Sequence, residues 1–372
     1  MTVLYVYVLY PLTALLRAWI RPRPYQAADI TPPVTVIVAA YNEAATIARK
    51  LENLLRLDYP SDLMQLIVVS DGSTDDTEEV VRRTFGNATE LIRIPRTGKS
   101  AALQRGAAEA SGTILVFTDA NSLLAPAALR NLVRPFADPS VGAVAGDQRY
   151  VGGRAVSIGE RGYWAMERQL KAAESRAGST VAATGSLYAV RRALFHGIPA
   201  GVNDDYYISA RVIIQGYRLV FAADATSFEP VMSSLFGEYT RKVRIMTGAL
   251  HTEFALRGLL NPFRFGWHSV VFASHKVMRR LLPVPLLVMA ISGFRLRQRR
   301  PMYRLAAMAQ LVWYGLGLAG FLALRARRPV PRILAIPAYF AAANGAALVA
   351  LWNGFRGRKI ESWRPERGRN QM

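Results

Sequence analysis

Three acidic or polar clusters each follow a short apolar run: Tyr41-Asn42-Glu43 after residues 34–40, Asp71-Gly72-Ser73 after 66–69, and Asp119-Ala120-Asn121 after 113–117. A carboxylate just past an apolar run suits two roles. It can cap a following helix, or it can face a ligand at the carboxyl edge of a sheet. Each cluster alone fits either role, and the three together favour one shared site. Asp119 and Asn121 form a D-x-D-like pair. Such oxygen donors suit a hard cation, Mg²⁺ or Mn²⁺, that shares its shell with substrate phosphates. Asn203-Asp204-Asp205 sets two carboxylates side by side, with Gly216 eleven residues after Asp205. A carboxylate near a loop end beside such a site can serve as general base; capping the apolar-periodic stretch that follows is the other reading. Thr97-Gly98-Lys99-Ser100 lacks the Walker A glycine, since position 93 is Arg93, so the P-loop reading fails. A glycine before a lysine at a helix start still suits a phosphate or ribose contact, the alternative being a surface lysine. With no cysteine, thiol catalysis and thiolate metal sites are excluded. The four histidines, 196, 251, 268 and 275, are scattered and read as structural or interfacial.

The elements that must position these groups alternate. Apolar β-branched runs at 34–40, 66–69, 91–94 and 113–117 read as strands, with 141–145 a further one. Helical stretches at 43–56, 75–84 and 100–110 lie between them, and 206–215 has helical apolar spacing. This β-α-β-α order predicts an α/β fold with a mostly parallel sheet covered on both faces. In such a sheet the strand ends converge on one edge.

The net charge of +21 is unevenly spread. Residues 1–32 carry three Arg and one Asp, residues 33–230 carry 21 basic and 21 acidic residues, and residues 231–372 carry 23 basic and four acidic. The neutral central part argues against a nucleic-acid partner. The basic excess lies among long apolar runs, as in juxtamembrane segments that meet anionic lipid. Residues 2–20 are long enough to cross a bilayer. Arg17, Arg21 and Arg23 lie at or after the end of that run, so a retained anchor with its basic end cytoplasmic is expected, the alternative being a buried helix. Residues 305–324 and 333–352 carry no formal charge; residues 281–294, with two prolines, fit a short span, a re-entrant piece or an interfacial segment. Both loops flanking 305–324 are Arg-rich, which leaves the tail topology open. The expected organisation is an anchor at 1–24, a catalytic domain at 33–250, interfacial and spanning helices at 251–355 with two or three spans, and a basic tail at 356–372.

The order of these motifs resembles glycosyltransferase family 2, and within it the membrane-bound branch of cellulose, chitin, hyaluronan and poly-N-acetylglucosamine synthases. The resemblance runs from about 33 to 250. Residues 38–43 match the opening A-x-Y-N-E element, residues 69–73 match D-D-G-S with Ser70 in place of the first Asp, and Gly98-Lys99 continued by residues 102–106 matches a G-K-x-x-A-L-N-x-G element. Asp119-x-Asn121 stands where the family has D-x-D, and residues 183–186 resemble its glycine-serine segment near the acceptor. Residues 203–205 match its T-E-D, at the family spacing from Gly216. Arg241 and Arg244 fall at the Q-x-x-R-W element of processive members, with Gly248 at its expected offset; Gln is replaced by Arg241 and Trp by Ile245. Residues 274–276 and 363–367 resemble tail elements of bacterial polysaccharide-type members.

The resemblance implies a GT-A fold (Rossmann-like) and a membrane-bound, inverting, metal-dependent transferase in the cell membrane with its catalytic domain cytoplasmic. The donor is then a nucleoside-diphosphate sugar, a UDP-sugar first, with Mg²⁺ or Mn²⁺. The acceptor is a hydroxyl on a lipid-linked or polysaccharide glycan, in envelope or exopolysaccharide synthesis. It implies Asp205 as the catalytic base. Ala39, Tyr41, Glu43, Asp71, Lys99, Asp119, Arg241 and Arg244 fall on the donor side. Gly185, Ser186 and Asp204 fall on the acceptor side, and Asp119 with Asn121 at the metal. The alternatives are a processive synthase that extrudes its product and a decayed nucleotide-sugar binding membrane protein.

Overall fold

The computed structural model describes residues 1–151, 158–230, 235–326, 328 and 330–359. The resemblance at 363–367 lies outside the described residues.

One eight-stranded sheet organises the described residues, in the spatial order Glu90–Ile94, Met64–Asp71, Val34–Ala40, Ile114–Phe117, Tyr188–Arg191, Val141–Val151, Arg218–Pro230, Leu123–Leu124. Its parallel half contains β1 (Val34–Ala40), β2 (Met64–Asp71), β3 (Glu90–Ile94) and β4 (Ile114–Phe117). β1 pairs in parallel with both β2 and β4, and β2 with β3. The second half holds β5 (Leu123–Leu124), β6 (Val141–Val151), β7 (Tyr188–Arg191) and β8 (Arg218–Pro230). There β7 is antiparallel to β4 and β6, and β6 pairs in parallel with β8.

The unbroken apolar strands follow from burial on both faces. Val34, Val36 and Val38 enter one buried cluster, with Ile47, Leu51 and Leu54 of helix α2 (Ile47–Leu55). Ile37, Leu115 and Phe117 enter another, with Leu103 of α4 (Lys99–Ala108) and Tyr206 and Tyr207 of a later helix. Alternate strand residues point to opposite faces, so both faces are mostly apolar, and a polar exception such as buried Thr35 has a partner, its Oγ1 donating to Gln65 Oε1 at 2.8 Å. Helix α3 (Thr77–Phe85) packs beside α2, and α5 (Ala128–Val133) packs on β8. Then come α6 (Ile158–Arg176), α7 (Asp204–Ile214) and α8 (Leu235–Ala255).

Several boundaries differ from the periodicity. The helix expected from residue 43 opens at Ile47, because Glu43 lies in a turn whose backbone N–H bonds Thr77 Oγ1 at 2.8 Å. Strand β6 runs to Val151 rather than 145 because β8 pairs along it past a bulge. The helix read from residue 206 begins at Asp204, so Asp204 and Asp205 form its first turn.

Among the described residues three helices are long and apolar enough to cross a membrane: α1 (Thr2–Ile20), α11 (Pro301–Arg325) and α12 (Arg332–Phe355). Two more, α9 (Trp267–Leu281) and α10 (Pro283–Leu296), meet at a 50° bend and together meet the same criteria. The apolar run at 281–294 is therefore the second arm of a broken helix, with Pro283 at the break.

A buried polar network joins α1 and α9 to α6. Tyr10 OH donates to Glu174 Oε1 at 2.5 Å, and His275 places its ring nitrogens 2.6 Å from Glu174 Oε1 and 2.7 Å from Glu167 Oε1. Arg279 Nη1 donates to Glu167 Oε2 at 2.8 Å. His275 is thus structural, as its scattered position suggested. Helix α12 lies against α8, where Asn353 Nδ2 donates to Thr247 Oγ1 at 3.3 Å.

Candidate active site

The carboxyl ends of β1, β2 and β4 lie side by side, which brings the three sequence clusters to one edge. Beyond β4, Thr118 to Ser122 form a tight turn closed by Ser122 N–H on Asp119 O at 3.3 Å. Lys99 opens α4 at the same edge. Its Nζ lies 2.8 Å from Asp119 Oδ1 and 3.1 Å from Asp204 Oδ2. The alternative of a surface lysine does not hold: this ammonium bridges Asp119 and Asp204. Burial disfavours its charge, but Asp119, Asp204 and Asp205 outweigh that and hold it firmly protonated.

Asp205 sits one residue further along the first turn of α7, its Oδ1 accepting the Tyr206 N–H at 2.8 Å. Burial and the neighbouring Asp204 carboxylate push its pKa up to about 6, against the pull of Lys99. That is close to what a general base needs near neutral pH. Tyr188 OH donates to Asp204 Oδ2 at 3.4 Å.

The Asn203 to Asp205 segment is fastened to α8. Asn203 N–H donates to Thr252 Oγ1 at 2.9 Å, and its Nδ2 donates to Ile245 O at 3.0 Å. Gly248 makes this possible: a Cβ there would stand 2.1 Å from Asn203 Oδ1.

Gly185 lies over Asp119. A Cβ on it would approach Asp119 Oδ2 to 3.1 Å and Lys99 Nζ to 3.4 Å. The glycine therefore keeps the second oxygen of Asp119 open while Lys99 occupies the first. Among the described residues no group of three or more Asp, Glu or His is placed to hold a metal ion. The donor set suits a cation whose shell is completed by substrate phosphates, not one caged by protein. Asn121 remains in the turn, half-buried.

Asp71 takes neither an N-cap role nor an open one. Its Oδ1 accepts Thr97 N–H at 2.7 Å and Gly98 N–H at 3.0 Å, and Oδ2 accepts from Arg96. The Arg96 guanidinium in turn lies 3.4 Å from the Tyr41 ring centroid. Asp71 thus organises the 96–98 loop, and Tyr41 with Arg96 forms the stacked surface. Ser70, in place of the family's first Asp, donates to Glu78 Oε1 at 2.7 Å, so the neighbouring helix supplies a carboxylate there. Ala39 is half-buried in β1, and Glu43 is buried and accepts Thr46 Oγ1 at 2.5 Å. Ser186 is buried, its Oγ accepting from Ser227 at 2.9 Å.

Arg241 and Arg244 project from α8. Arg241 Nη1 lies 4.0 Å from Glu229 Oε1, and its Nη2 donates to Tyr150 OH at 3.5 Å. Burial, then Arg241, lower the Arg244 pKa, while Asp204, Asp119 and Asp205 raise it. Glu229, near the end of β8, is a residue sequence reasoning missed, as is Arg96. Burial and then Asp119 push the Glu229 pKa up to about 7, opposed by Arg241. The only signal for Glu229 was a second acidic residue, after Asp224, in a strand that is mostly apolar or small past Arg218.

Residues 35–198 match the family model described as Glycosyl transferase family 2. Curated relatives include Glycosyltransferase AglE of Haloferax volcanii, 29% identical over 57% of this chain and 70% of the relative. An N-acetylglucosaminyltransferase of Bradyrhizobium diazoefficiens is 26% identical over 81% of this chain and 63% of the relative. A poly-beta-1,6-N-acetyl-D-glucosamine synthase of Staphylococcus aureus is 25% identical over 63% of this chain. The chain spans 58% of that synthase's length. Among solved structures, mannosyltransferase PcManGT from Pyrobaculum calidifontis, in complex with GDP-Man and Mn²⁺, matches with TM-score 0.71 and 27% identity, over 94% of this chain and 95% of that one. The sheet and its helices are therefore a GT-A-type fold.

Proposed function

We propose that this chain, whose residues 35–198 match the model described as Glycosyl transferase family 2, moves a sugar from a nucleoside-diphosphate donor to a hydroxyl acceptor with inversion, Asp205 being the base. The observation that carries this reading is Lys99, within 3.1 Å of both Asp119 and Asp204. It ties the donor-side turn to the carboxylate pair, so a donor diphosphate at Asp119 and an acceptor hydroxyl at Asp205 meet across one ammonium.

The donor base stacks on the Tyr41 and Arg96 surface, and Arg241 and Arg244 face the diphosphate. Asp119, with Asn121, holds the divalent cation, which when bound neutralises charge developing on the leaving diphosphate. The Mn²⁺ of the mannosyltransferase complex supports this role. Asp205 takes the proton of the attacking hydroxyl, and its raised pKa strengthens it as a base while leaving it ionised at neutral pH. Lys99 stabilises the paired carboxylates and adds positive charge beside the leaving group.

The spanning helices keep the site at a membrane face, with the catalytic domain cytoplasmic, where a lipid-linked or glycan acceptor arrives. The α12 contact with α8 supports this, because it fixes a candidate span to the helix that carries Arg241 and Arg244. A processive synthase is the second reading, favoured by the staphylococcal relative's name. The replacement of the motif Trp by Ile245, 37% exposed on α8, weighs against it.

The test is a donor screen with the purified full chain in nanodiscs, using GDP-mannose and UDP-N-acetylglucosamine with and without Mn²⁺. Release of nucleoside diphosphate that needs Mn²⁺, with a single sugar added to acceptor, is expected. A long product ladder contradicts single addition, and no turnover on any sugar nucleotide contradicts the transferase reading.

A further inference from the structure

Lys50 is fully buried in the middle of α2, with no exposed surface. Lysine is almost never fully buried unless paired. Its partners are neutral oxygens: Nζ donates to Thr118 Oγ1 at 2.7 Å, to Ser122 O at 2.7 Å and to Ser122 Oγ at 3.3 Å. Thr118 and Ser122 are the residues that immediately flank Asp119-Ala120-Asn121. The amine thus holds both shoulders of the turn that carries the metal motif.

The same two hydroxyls reach across to the acceptor-side segment. Thr118 Oγ1 donates to Ser186 O at 2.7 Å, and Ser122 Oγ lies 3.2 Å from the same carbonyl and 2.9 Å from Asp119 O. Ser186 directly follows Gly185, the residue whose missing side chain leaves Asp119 Oδ2 open. One buried amine therefore fixes the spacing between the Asp119 turn and the glycine above it.

A hydrophobic residue at position 50 would give α2 an uninterrupted apolar stripe with Ile47, Leu51 and Leu54, all buried. The α/β core alone gives no reason for a cation here. Burial pulls the amine's pKa down to about 7, and the Asp119 charge opposes that fall. The charge is thus costly at this position, and it sits beneath the single carboxylate of an Asp-x-Asn motif.

We propose that Lys50 is a positioning residue for sugar transfer: its buried amine clamps Thr118 and Ser122 so that Asp119 is held open, beneath Gly185, for the cation and donor diphosphate. This rests on the donor-site reading above.

The test is calorimetric binding of GDP and UDP, with and without Mn²⁺, and of guanosine and uridine, to the full chain in nanodiscs. Lys50→Met keeps the side-chain length and removes the hydrogen bonds and charge. The Mn²⁺-dependent gain in diphosphate affinity is expected to fall at least tenfold, with nucleoside affinity within twofold of wild type. A gain within twofold of wild type overturns the proposal. So does an equal loss of nucleoside binding, which marks a general packing role. If Lys50→Met does not fold, Thr118→Val removes one clamp and leaves Lys50 in place. A several-fold loss of the Mn²⁺ gain alone is then expected, and an unchanged gain overturns the proposal. A wild-type chain that binds diphosphate without any Mn²⁺ gain overturns the metal site itself, and this proposal with it.

Discussion

Lys99 Nζ stands 2.8 Å from Asp119 Oδ1, so the cation that opens α4 is joined to the carboxylate in the turn that follows β4. A charge-assisted bond of this kind contributes about 1.5–3 kcal/mol. Lys99→Met leaves Asp119 and Asp204 facing each other without compensation. We expect kcat/KM to fall on the order of tenfold to a hundredfold, with weaker nucleoside diphosphate binding. Steady-state kinetics and titration check this; a change within twofold contradicts it.

The pH dependence follows from Asp205. Its pKa lies near 6, so kcat/KM is expected to rise about tenfold per pH unit below 6 and to level off above it. The stability consequence has the opposite sign. A carboxyl whose folded pKa is raised adds stability below its unfolded pKa of about 3.9, and that stability is lost as pH rises through 6. Asp205→Asn should therefore be more stable than wild type above pH 6 and unfold at a higher temperature, the stability difference being on the order of 3 kcal/mol. Equal melting temperatures at pH 8 contradict the raised pKa.

Gly248 and Asn203 share one space. Gly248→Ala places a methyl group 2.1 Å from Asn203 Oδ1. Overpacking of this kind costs about 1–3 kcal/mol, and it displaces the residue next to Asp204. A lower melting temperature together with a lower kcat is expected, and Asn203→Ala in the same chain should recover part of the stability. Additive losses in the double variant contradict a shared cause.

Glu229 Oε1 lies 4.0 Å from Arg241 Nη1, so under the proposed donor site it would compete with the donor for that guanidinium. Its pKa near 7 means that it ionises across the neutral range. Relative to wild type, Glu229→Gln should bind GDP or UDP more tightly at pH 8 than at pH 6, because the rival carboxylate is gone. Titration at both pH values checks this. A constant ratio between the two proteins contradicts the competition.

The parallel half of the sheet was legible because strands buried on both faces are mostly apolar, as at Val34 to Ala40, where only Thr35 is polar. The strand-end acids were legible for the same reason, since Asp71 and Asp119 end those runs. Asp205 stood out through its pairing with Asp204 and its spacing to Gly216. The contacts that aim these groups were not legible. Lys50 interrupts an apolar stripe, yet its partners lie 68 and 72 residues away. Asp71 is taken up by residues 96–98, which no local pattern announces. Glu229 lies in a 13-residue strand whose register with β6 shifts at Gly146 and Asp147, so periodicity alone could not assign its surroundings. The 50° bend between α9 and α10 depends on a proline that composition shows without its angle.

The central claim is that Asp205 deprotonates the acceptor. The direct measurement is transfer of radiolabelled sugar by Asp205→Asn beside wild type, with nucleoside diphosphate affinity measured on the same samples. The account predicts transfer reduced about a hundredfold to ten-thousandfold, with diphosphate affinity within a few-fold of wild type. Near-normal turnover by the variant would show that another group takes the proton.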